Sequence, residues 1–172
     1  MKNYIFKILI IGNASVGKTS LLRRYVNGMF DESTIMTVGV DFFTKEIIYD
    51  NTHCLLQLWD LGGQERFRYL LDNFVMGARG ALLLFDLTRM PIIEDILEWV
   101  NTARLHDMNL PIILIGTKLD LEDLIAVEDE DALNVKNTFN MIDYIKTSAK
   151  TGYNVEEVFE IMVKELIKTS KY

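Results

Sequence analysis

The chain has 172 residues, of which 49% are hydrophobic and 25% charged, and its formal net charge is −7 at pH 7. This size and composition predict a single domain, residues 1–172, with a sizeable core. The acidic balance argues against nucleic acid as a partner, because phosphate backbones are bound by basic faces. The single cysteine, Cys54, cannot form an internal disulfide, which indicates a reducing, cytoplasmic compartment.

The chain offers no clear route to a membrane. Its N-terminal apolar stretch, residues 8–11, is too short for a signal peptide or a membrane span. No glycine follows Met1 for myristoylation, and residues 168–172 contain no cysteine for prenylation. We therefore expect a cytoplasmic protein without a membrane span or lipidation site, which would reach a membrane only through a partner or a missing tail.

The first half of the chain alternates between strand and helix patterns. The predicted elements are a strand at 4–11, a helix ending near residue 27, and strands at 40–49 and 55–59. Gly28 ends the helix. The short polar turn at Asp50 and Asn51 predicts that the last two strands are antiparallel, at one edge of a sheet. Residues 29–39 show neither the helical nor the strand periodicity of apolar residues, and a loop of this length indicates a functional segment.

The second half continues the alternation. After a mixed segment at 61–77, the predicted elements are a strand at 80–86, a helix opened by Pro91, a strand at 111–116, a helix near 128–139, a strand at 141–145 and a final helix. The pattern predicts an α/β fold: a six-stranded, mostly parallel sheet with one antiparallel edge strand and about five helices on both faces.

Two of these helices carry detailed predictions. The helix after Pro91 is expected to present one apolar face, formed by Ile93, Ile96, Leu97 and Val100. The final helix shows a longer stripe, made of Val155, Val158, Phe159, Met162, Val163, Leu166 and Ile167. Asn154, with Glu157 three residues later, predicts an N-cap with a capping box at its start.

Residues 12–19, Gly-Asn-Ala-Ser-Val-Gly-Lys-Thr, match the phosphate-loop pattern between a strand and a helix. Gly12 and Gly17 let successive backbone N–H groups point into one concavity, which suits a triphosphate. Lys18 can reach the phosphate oxygens, and the Thr19 hydroxyl suits Mg²⁺. The alternative is a glycine-containing turn with an incidental lysine and threonine, which this strand–turn–helix setting disfavours. The predicted contacts of the loop are Ala14, Ser15, Val16, Gly17, Lys18, Thr19 and Ser20.

Four stretches together resemble the Ras superfamily of small GTPases, and most nearly its Rab branch. They are GNASVGKT, TVGVDF, WDLGGQERFR and LLLFDLT, and the resemblance covers essentially the whole chain. GTKLDL, at residues 116–121, is similar to the Rho branch, and the pair Gly62-Gly63 before Gln64 is similar to the Arf branch. The resemblance implies a P-loop NTPase fold that binds GTP and Mg²⁺ and hydrolyses GTP to GDP.

The resemblance also implies roles around the phosphates. The Gly63 N–H would bond the γ-phosphate, and Gln64 would orient the attacking water, with Lys18 and Thr37 as the other catalytic candidates. Phe30 would pack beside the base. The implied metal ligands, direct or through water, are Thr19, Thr37 and Asp60; Asp60 directly follows a hydrophobic strand, where its carboxylate can hold a magnesium-bound water.

Base recognition is implied by two further segments. Asp120 would accept hydrogen bonds from two neighbouring donors, which guanine supplies and adenine does not. The Lys118 stem would lie along the ring, and the Ala149 N–H would meet the guanine oxygen. The full implied set for the base is Thr117, Lys118, Asp120, Ser148, Ala149 and Lys150. Thr117 replaces the asparagine of most relatives, and Leu61-Gly62 replaces Thr-Ala, which predicts a flexible second switch.

These features predict a monomeric GTP-binding switch. It would hydrolyse GTP slowly alone and faster with an activating protein, rely on an exchange factor, and signal to effectors through residues 29–40 and 61–77. Trafficking or cytoskeletal regulation is the expected setting. Two alternatives remain open: a nucleotide-gated binding module without turnover, and a P-loop kinase.

Overall fold

A computed structural model describes residues 2–33, 36–64 and 69–170 of the protein. Within these residues a single sheet has the strand order β2-β3-β1-β4-β5-β6. The strands are β1 Lys2–Ile11, β2 Val40–Tyr49, β3 Thr52–Leu61, β4 Gly80–Asp86, β5 Ile112–Thr117 and β6 Asp143–Lys146. The α-helices are α1 Lys18–Asn27, α2 Asp72–Val75, α3 Ile93–Ala103, α4 Asp129–Thr138 and α5 Val155–Thr169, and a 3₁₀ helix spans Glu122–Leu124.

The sheet is parallel except at β2. Strand β1 pairs in parallel with β3 and β4, and β5 with β4 and β6. Strand β2 pairs antiparallel with β3, with Tyr49 opposite Thr52. Asp50 and Asn51 form the two-residue turn between them, both at positive φ, 46° and 56°, which suits the twist of a tight hairpin. The mostly parallel α/β sheet and its antiparallel edge strand are confirmed.

Successive residues of β1 point to opposite faces of the sheet, so the core has two layers. Ile8 and Ile10 pack with α1 and α5, whereas Leu9 and Ile11 pack on the side of α2, α3 and α4. Burial on both faces explains why residues 8–11 of this strand are all apolar. Among the described helices, none is long and apolar enough to cross a membrane.

Helix α5 buries its predicted stripe, but its predicted capping box is wrong. Every residue of the stripe is buried. Phe159 stacks on Tyr25 of α1 with ring centroids 3.7 Å apart. Asn154 occupies the N-cap position in the left-handed conformation, φ 58°, and its side chain makes no cap hydrogen bond. Its Nδ2 instead donates to the Lys146 carbonyl at 2.9 Å, which ties the helix start to the end of β6.

Helix α3 is turned relative to its predicted face. Its buried residues are Ile96, Trp99, Val100 and Ala103. Ile93 and Leu97, expected in the core, are 47% and 46% exposed. The reason is Trp99, which is only 2% exposed and offers far more apolar area than Leu97, so the helix presents Trp99 to the sheet.

Neighbouring residues of α3 provide a test of this orientation. We expect Ile96→Ala to lower the free energy of unfolding by about 2–5 kcal/mol, because it leaves a cavity in the core. Leu97→Ala, at a half-exposed position, should cost less than about 1 kcal/mol. Chemical denaturation of both variants in the same nucleotide state measures the difference. Equal losses would contradict the orientation of the helix.

Candidate nucleotide-binding site

A cavity of about 620 Å³ opens at the carboxyl ends of the parallel strands, where ligands bind in open α/β sheets. The predicted site residues that line it are Ala14, Ser15, Gly17, Lys18, Thr19, Ser20, Phe30, Thr37, Gly63, Thr117, Lys118, Asp120, Ala149 and Lys150. Val16 and Ser148 are buried behind this lining. The structure thus brings together segments that are far apart in the chain.

The phosphate loop folds around the Lys18 ammonium. Gly12 and Gly17 have φ values of 140° and 102°, which residues with a Cβ rarely adopt. A Cβ at Gly12 would also collide with the Leu84 carbonyl oxygen. Lys18 is 5% exposed, and its Nζ donates to the carbonyl oxygens of Gly12 at 2.9 Å and Asn13 at 2.8 Å. The loop therefore presents a buried cation at the floor of the cavity.

Three oxygen-bearing side chains converge beside Lys18. The Thr19 hydroxyl donates to Oδ2 of Asp60 at 2.5 Å and lies 2.7 Å from the Thr37 hydroxyl. Thr37 also donates to Oδ2 of Asp60 at 3.2 Å. These residues come from the start of α1, the end of β3 and the loop before β2.

Asp60 is the residue that most clearly indicates a cation-binding site. It is fully buried, and its Oδ1 has no hydrogen-bond partner in the part of the chain that the structure describes. Burial raises the pKa of its carboxyl, and the Thr19 hydrogen bond and the nearby Lys18 charge oppose that shift. A buried carboxylate oxygen beside two hydroxyls fits Mg²⁺, which prefers oxygen ligands. Thr19, Thr37 and Asp60 would hold such an ion, directly or through water.

The base-recognition residues form a second cluster. Ser148 is 1% exposed, and its hydroxyl donates to Oδ1 of Asp120 at 2.7 Å, which fixes that carboxylate. Lys118 lies at a left-handed φ of 64°, and its Nζ donates to the Ser15 carbonyl at 3.0 Å. Lys118 thus connects the loop after β5 with the phosphate loop.

Asp86, at the end of β4, is a residue to which sequence reasoning assigned no role. Its Oδ2 accepts from Lys118 Nζ at 2.7 Å, and its Oδ1 accepts from the Thr88 N–H and hydroxyl at 2.8 and 2.7 Å. Burial raises the pKa of the Asp86 carboxyl, but the bonds from Lys118 and Thr88 outweigh burial and leave it below its ordinary value. A carboxylate at the end of a run of apolar residues, as at Asp60, was the available signal.

Thr117 lies behind the site. Its hydroxyl, on a residue 4% exposed, is placed to donate to the carbonyl oxygens of Val16 at 2.5 Å and Phe85 at 3.0 Å. A hydroxyl has one proton, so these two acceptors share it. Thr117 therefore links the phosphate loop to β4 and β5 with fewer donors than an asparagine would supply.

The loops that border the cavity are close to one another. Gln64 does not line the cavity; its Nε2 lies 2.9 Å from Sδ of Met36, which does. Phe30 is 37% exposed at the rim. Lys150 pairs with Glu32 across the cavity mouth, with Nζ and Oε1 3.3 Å apart. Residues 34–35 and 65–68, within the predicted switch loops, lie outside the described residues.

Gly62 has a packing role that differs from its predicted effect on flexibility. Its N–H donates to the Gly39 carbonyl at 2.6 Å. A Cβ at this position would lie 2.6 Å from the Gly39 oxygen and 3.0 Å from the Thr37 oxygen. The glycine therefore allows the loop that carries Thr37 to approach the end of β3.

Comparison with known proteins agrees with this geometry. The family model described as "Ras family" matches residues 7–168, so the chain belongs to the Ras family, and it is a GTPase of the Rab branch. It is 37% identical over 166 residues to "Ras-related protein Rab-19" of Rattus norvegicus, covering 96% of this chain and 76% of the relative.

Two further relatives are similarly close. The chain is 37% identical over 167 residues to "GTP-binding protein ypt3" of Schizosaccharomyces pombe, covering 96% of this chain and 78% of that protein. It is 38% identical over 167 residues to "Ras-related protein RABA4d" of Arabidopsis thaliana, covering 96% and 75% respectively. The predicted Rab-like family assignment is confirmed.

The Asp86–Lys118 pair predicts a specific pH dependence. Asp86→Asn should lower the free energy of unfolding by about 1–3 kcal/mol at pH 7, because it weakens a partly buried charge-assisted bond. Since the folded pKa of Asp86 lies below 3.8, its contribution is complete above that pH and is lost as the pH falls through the folded value. The deficit should therefore be the same at pH 7 and pH 5.

Denaturant titrations of wild type and variant at these two pH values measure the deficit. Asp123→Asn, at an exposed position of the 3₁₀ helix, is the matched control and should change stability little. A deficit that disappears between pH 7 and pH 5 would contradict the assigned role of Asp86.

Proposed function

We propose that this GTPase is a Mg²⁺-dependent switch that alternates between GTP and GDP in one cavity. The observation that carries the proposal is the buried cluster of Thr19, Thr37 and Asp60 next to the Lys18 ammonium. It combines a cation suited to phosphate oxygens with an oxygen set suited to Mg²⁺. When bound, the metal supplies positive charge that neutralises the phosphate oxygens.

The residues of the chain divide the work of binding and turnover. Lys18 and the N–H groups of the phosphate loop bind and orient the phosphates. Ser148 holds Asp120, and the Asp120 carboxylate selects guanine by accepting hydrogen bonds from the two neighbouring donors of that base. Gln64 orients the attacking water, since its amide offers a donor and an acceptor together. Thr37 couples the loop before β2 to the nucleotide state, because it shares Asp60 with Thr19.

Turnover without a partner is proposed to be slow. None of the arginines in residues 2–33, 36–64 and 69–170 lines the cavity. Arg79, for example, donates instead to the Ser170 hydroxyl at 3.4 Å. An activating protein would supply positive charge to the phosphates in trans, and an exchange factor would open the site for GDP release.

Effector binding is proposed for the two switch loops and the adjoining strands. Val38 and Phe42 are 67% and 47% exposed, and Phe42 meets Trp59 edge to face with ring centroids 5.2 Å apart. Exposed apolar side chains beside a loop tied to the nucleotide site suit a partner that distinguishes the two states. The relatives support a setting in membrane trafficking, with cytoskeletal regulation as the alternative. The protein is proposed to act as a cytoplasmic monomer that reaches membranes through a partner or a tail.

One experiment separates the proposed switch from two alternatives, a nucleotide-gated binding module without turnover and a P-loop kinase. Protein purified without added nucleotide is denatured, and the released base and its phosphate count are identified by chromatography. The proposed function predicts GDP. Intact GTP would favour a binding module without turnover, and adenine nucleotide would favour a P-loop kinase and contradict the role of Asp120.

Gln64 provides a test of the hydrolytic step. We expect Gln64→Leu to slow single-turnover GTP hydrolysis by roughly 100-fold, because the attacking water is no longer oriented. GTP affinity should change by less than about threefold, because Gln64 does not line the cavity. Phosphate release and equilibrium binding measure the two effects. Unchanged hydrolysis would contradict the catalytic role of Gln64.

Asp120 provides a test of base selection. Asp120→Ala should weaken GDP binding by roughly 100-fold or more and leave ADP binding unchanged, because only guanine offers the paired donors. Asp123→Ala removes an exposed carboxylate from the adjoining 3₁₀ helix. It is the control and should bind GDP like the wild type. Competition against a fluorescent guanine nucleotide measures the affinities. Equal losses for guanine and adenine nucleotides would rule out the proposed contact.

A further inference from the structure

The side chain of Asn13, inside the phosphate loop, is held by helix α3. Its Nδ2 donates to Oδ2 of Asp95 at 2.6 Å, and Trp99 Nε1 donates to its Oδ1 at 2.9 Å. An indole N–H can only donate and a carboxylate can only accept, so the amide has one orientation that satisfies both. We call Asn13, Asp95 and Trp99 the α3 triad.

The hydrogen bonds of the α3 triad are partly buried, and one of them has a charged acceptor. Trp99 is 2% exposed, and Asp95 is half-buried. A hydrogen bond to a charged acceptor in such surroundings contributes more than a neutral one at the surface. The triad also borders a second cavity of about 250 Å³ between the phosphate loop and α3. The contact therefore forms part of the wall of this cavity.

The backbone of Asn13 has two contacts with the nucleotide machinery. Its carbonyl oxygen accepts from Lys18 Nζ at 2.8 Å. On its other side, a Cβ built on Gly63 would lie 2.5 Å from the Asn13 carbonyl carbon, so the Gly63 backbone packs directly on this peptide. The Asn13 peptide thus lies between Lys18 and Gly63, both assigned to the phosphates by the proposed function.

We propose that Asp95 and Trp99 are positioning residues for the phosphate loop. Acting through the Asn13 side chain, they hold the peptide that binds Lys18 and supports Gly63. Helix α3 therefore helps to set the rate at which bound GDP leaves and the rate of GTP hydrolysis. This inference rests on the proposed function, because both rates require a guanine nucleotide in the cavity.

The test exchanges the two polar partners. Asn13→Asp places two carboxylates at a contact of 2.6 Å, and the like charges should push the loop away from α3. The double variant Asn13→Asp with Asp95→Asn restores a donor opposite a carboxylate, and Trp99 Nε1 can still donate to the carboxylate oxygen introduced at position 13. Both variants carry the same extra charge in the loop, so the difference between them reports the group that faces it from position 95 of α3.

The measurements use the whole 172-residue chain with Mg²⁺ at constant salt. We expect Asn13→Asp to accelerate release of a fluorescent GDP by about tenfold and to slow single-turnover GTP hydrolysis by about tenfold. The double variant should return to within about threefold of wild type. Trp99→Phe, which keeps an aromatic ring and removes the N–H, should give a smaller change in the same direction.

Glu94→Gln is the matched control, since it removes an exposed acidic charge from the same turn of α3. It should match wild type in both rates. Melting temperatures of all variants show whether they are folded at the assay temperature. A purely structural role would make both rates follow melting temperature across the set, and that result would overturn the inference.

Two further outcomes are decisive. A double variant no better than Asn13→Asp, or an Asn13→Asp variant within twofold of wild type, would overturn the inference while leaving the proposed function intact. A wild-type chain that binds no guanine nucleotide would overturn the proposed function and this inference together.

Discussion

The burial of opposite charges beside each other is the constraint on which the site depends. Lys18 is 5% exposed and Asp60 is fully buried, and neither would be stable as an isolated ion in the interior. Lys18 is stabilised by carbonyl oxygens of its own loop, and Asp60 by the Thr19 and Thr37 hydroxyls. The arrangement leaves one Asp60 oxygen without a partner among the described residues, which a bound cation would satisfy.

Behind this site, polar contacts tie the phosphate loop to the rest of the sheet. Thr117 holds the loop at Val16, and Lys118 holds it at Ser15 while pairing with Asp86. From a separate direction, α3 holds Asn13. The loop is therefore fixed from β4, β5 and α3, which is what a preorganised anion site requires.

The sequence predictions were correct where residues close in the chain decide the structure, and they failed where contacts between distant residues decide it. The two-residue turn at Asp50 and Asn51 predicted the antiparallel edge strand, because loop length limits how two strands can pair. The α5 stripe was also correct, since seven apolar residues leave one possible inward face. The α3 face was correct at Ile96 and Val100 and wrong at Ile93 and Leu97. Leu97 and Trp99 compete for the core, and only packing against the sheet decides between them. The capping box failed because Asn154 had a distant acceptor, the Lys146 carbonyl.

The sequence alone determined the alternating fold, the phosphate loop and the family, because each is encoded in local spacing: glycines where the backbone must turn, and lysine and threonine at the start of a helix. Only the tertiary structure decided how Asp86 pairs with Lys118 and how Asp95 reaches Asn13. These partners are 32 and 82 residues apart in the chain. No local pattern encodes such contacts, because they arise when the carboxyl ends of parallel strands and the start of a crossing helix are packed side by side.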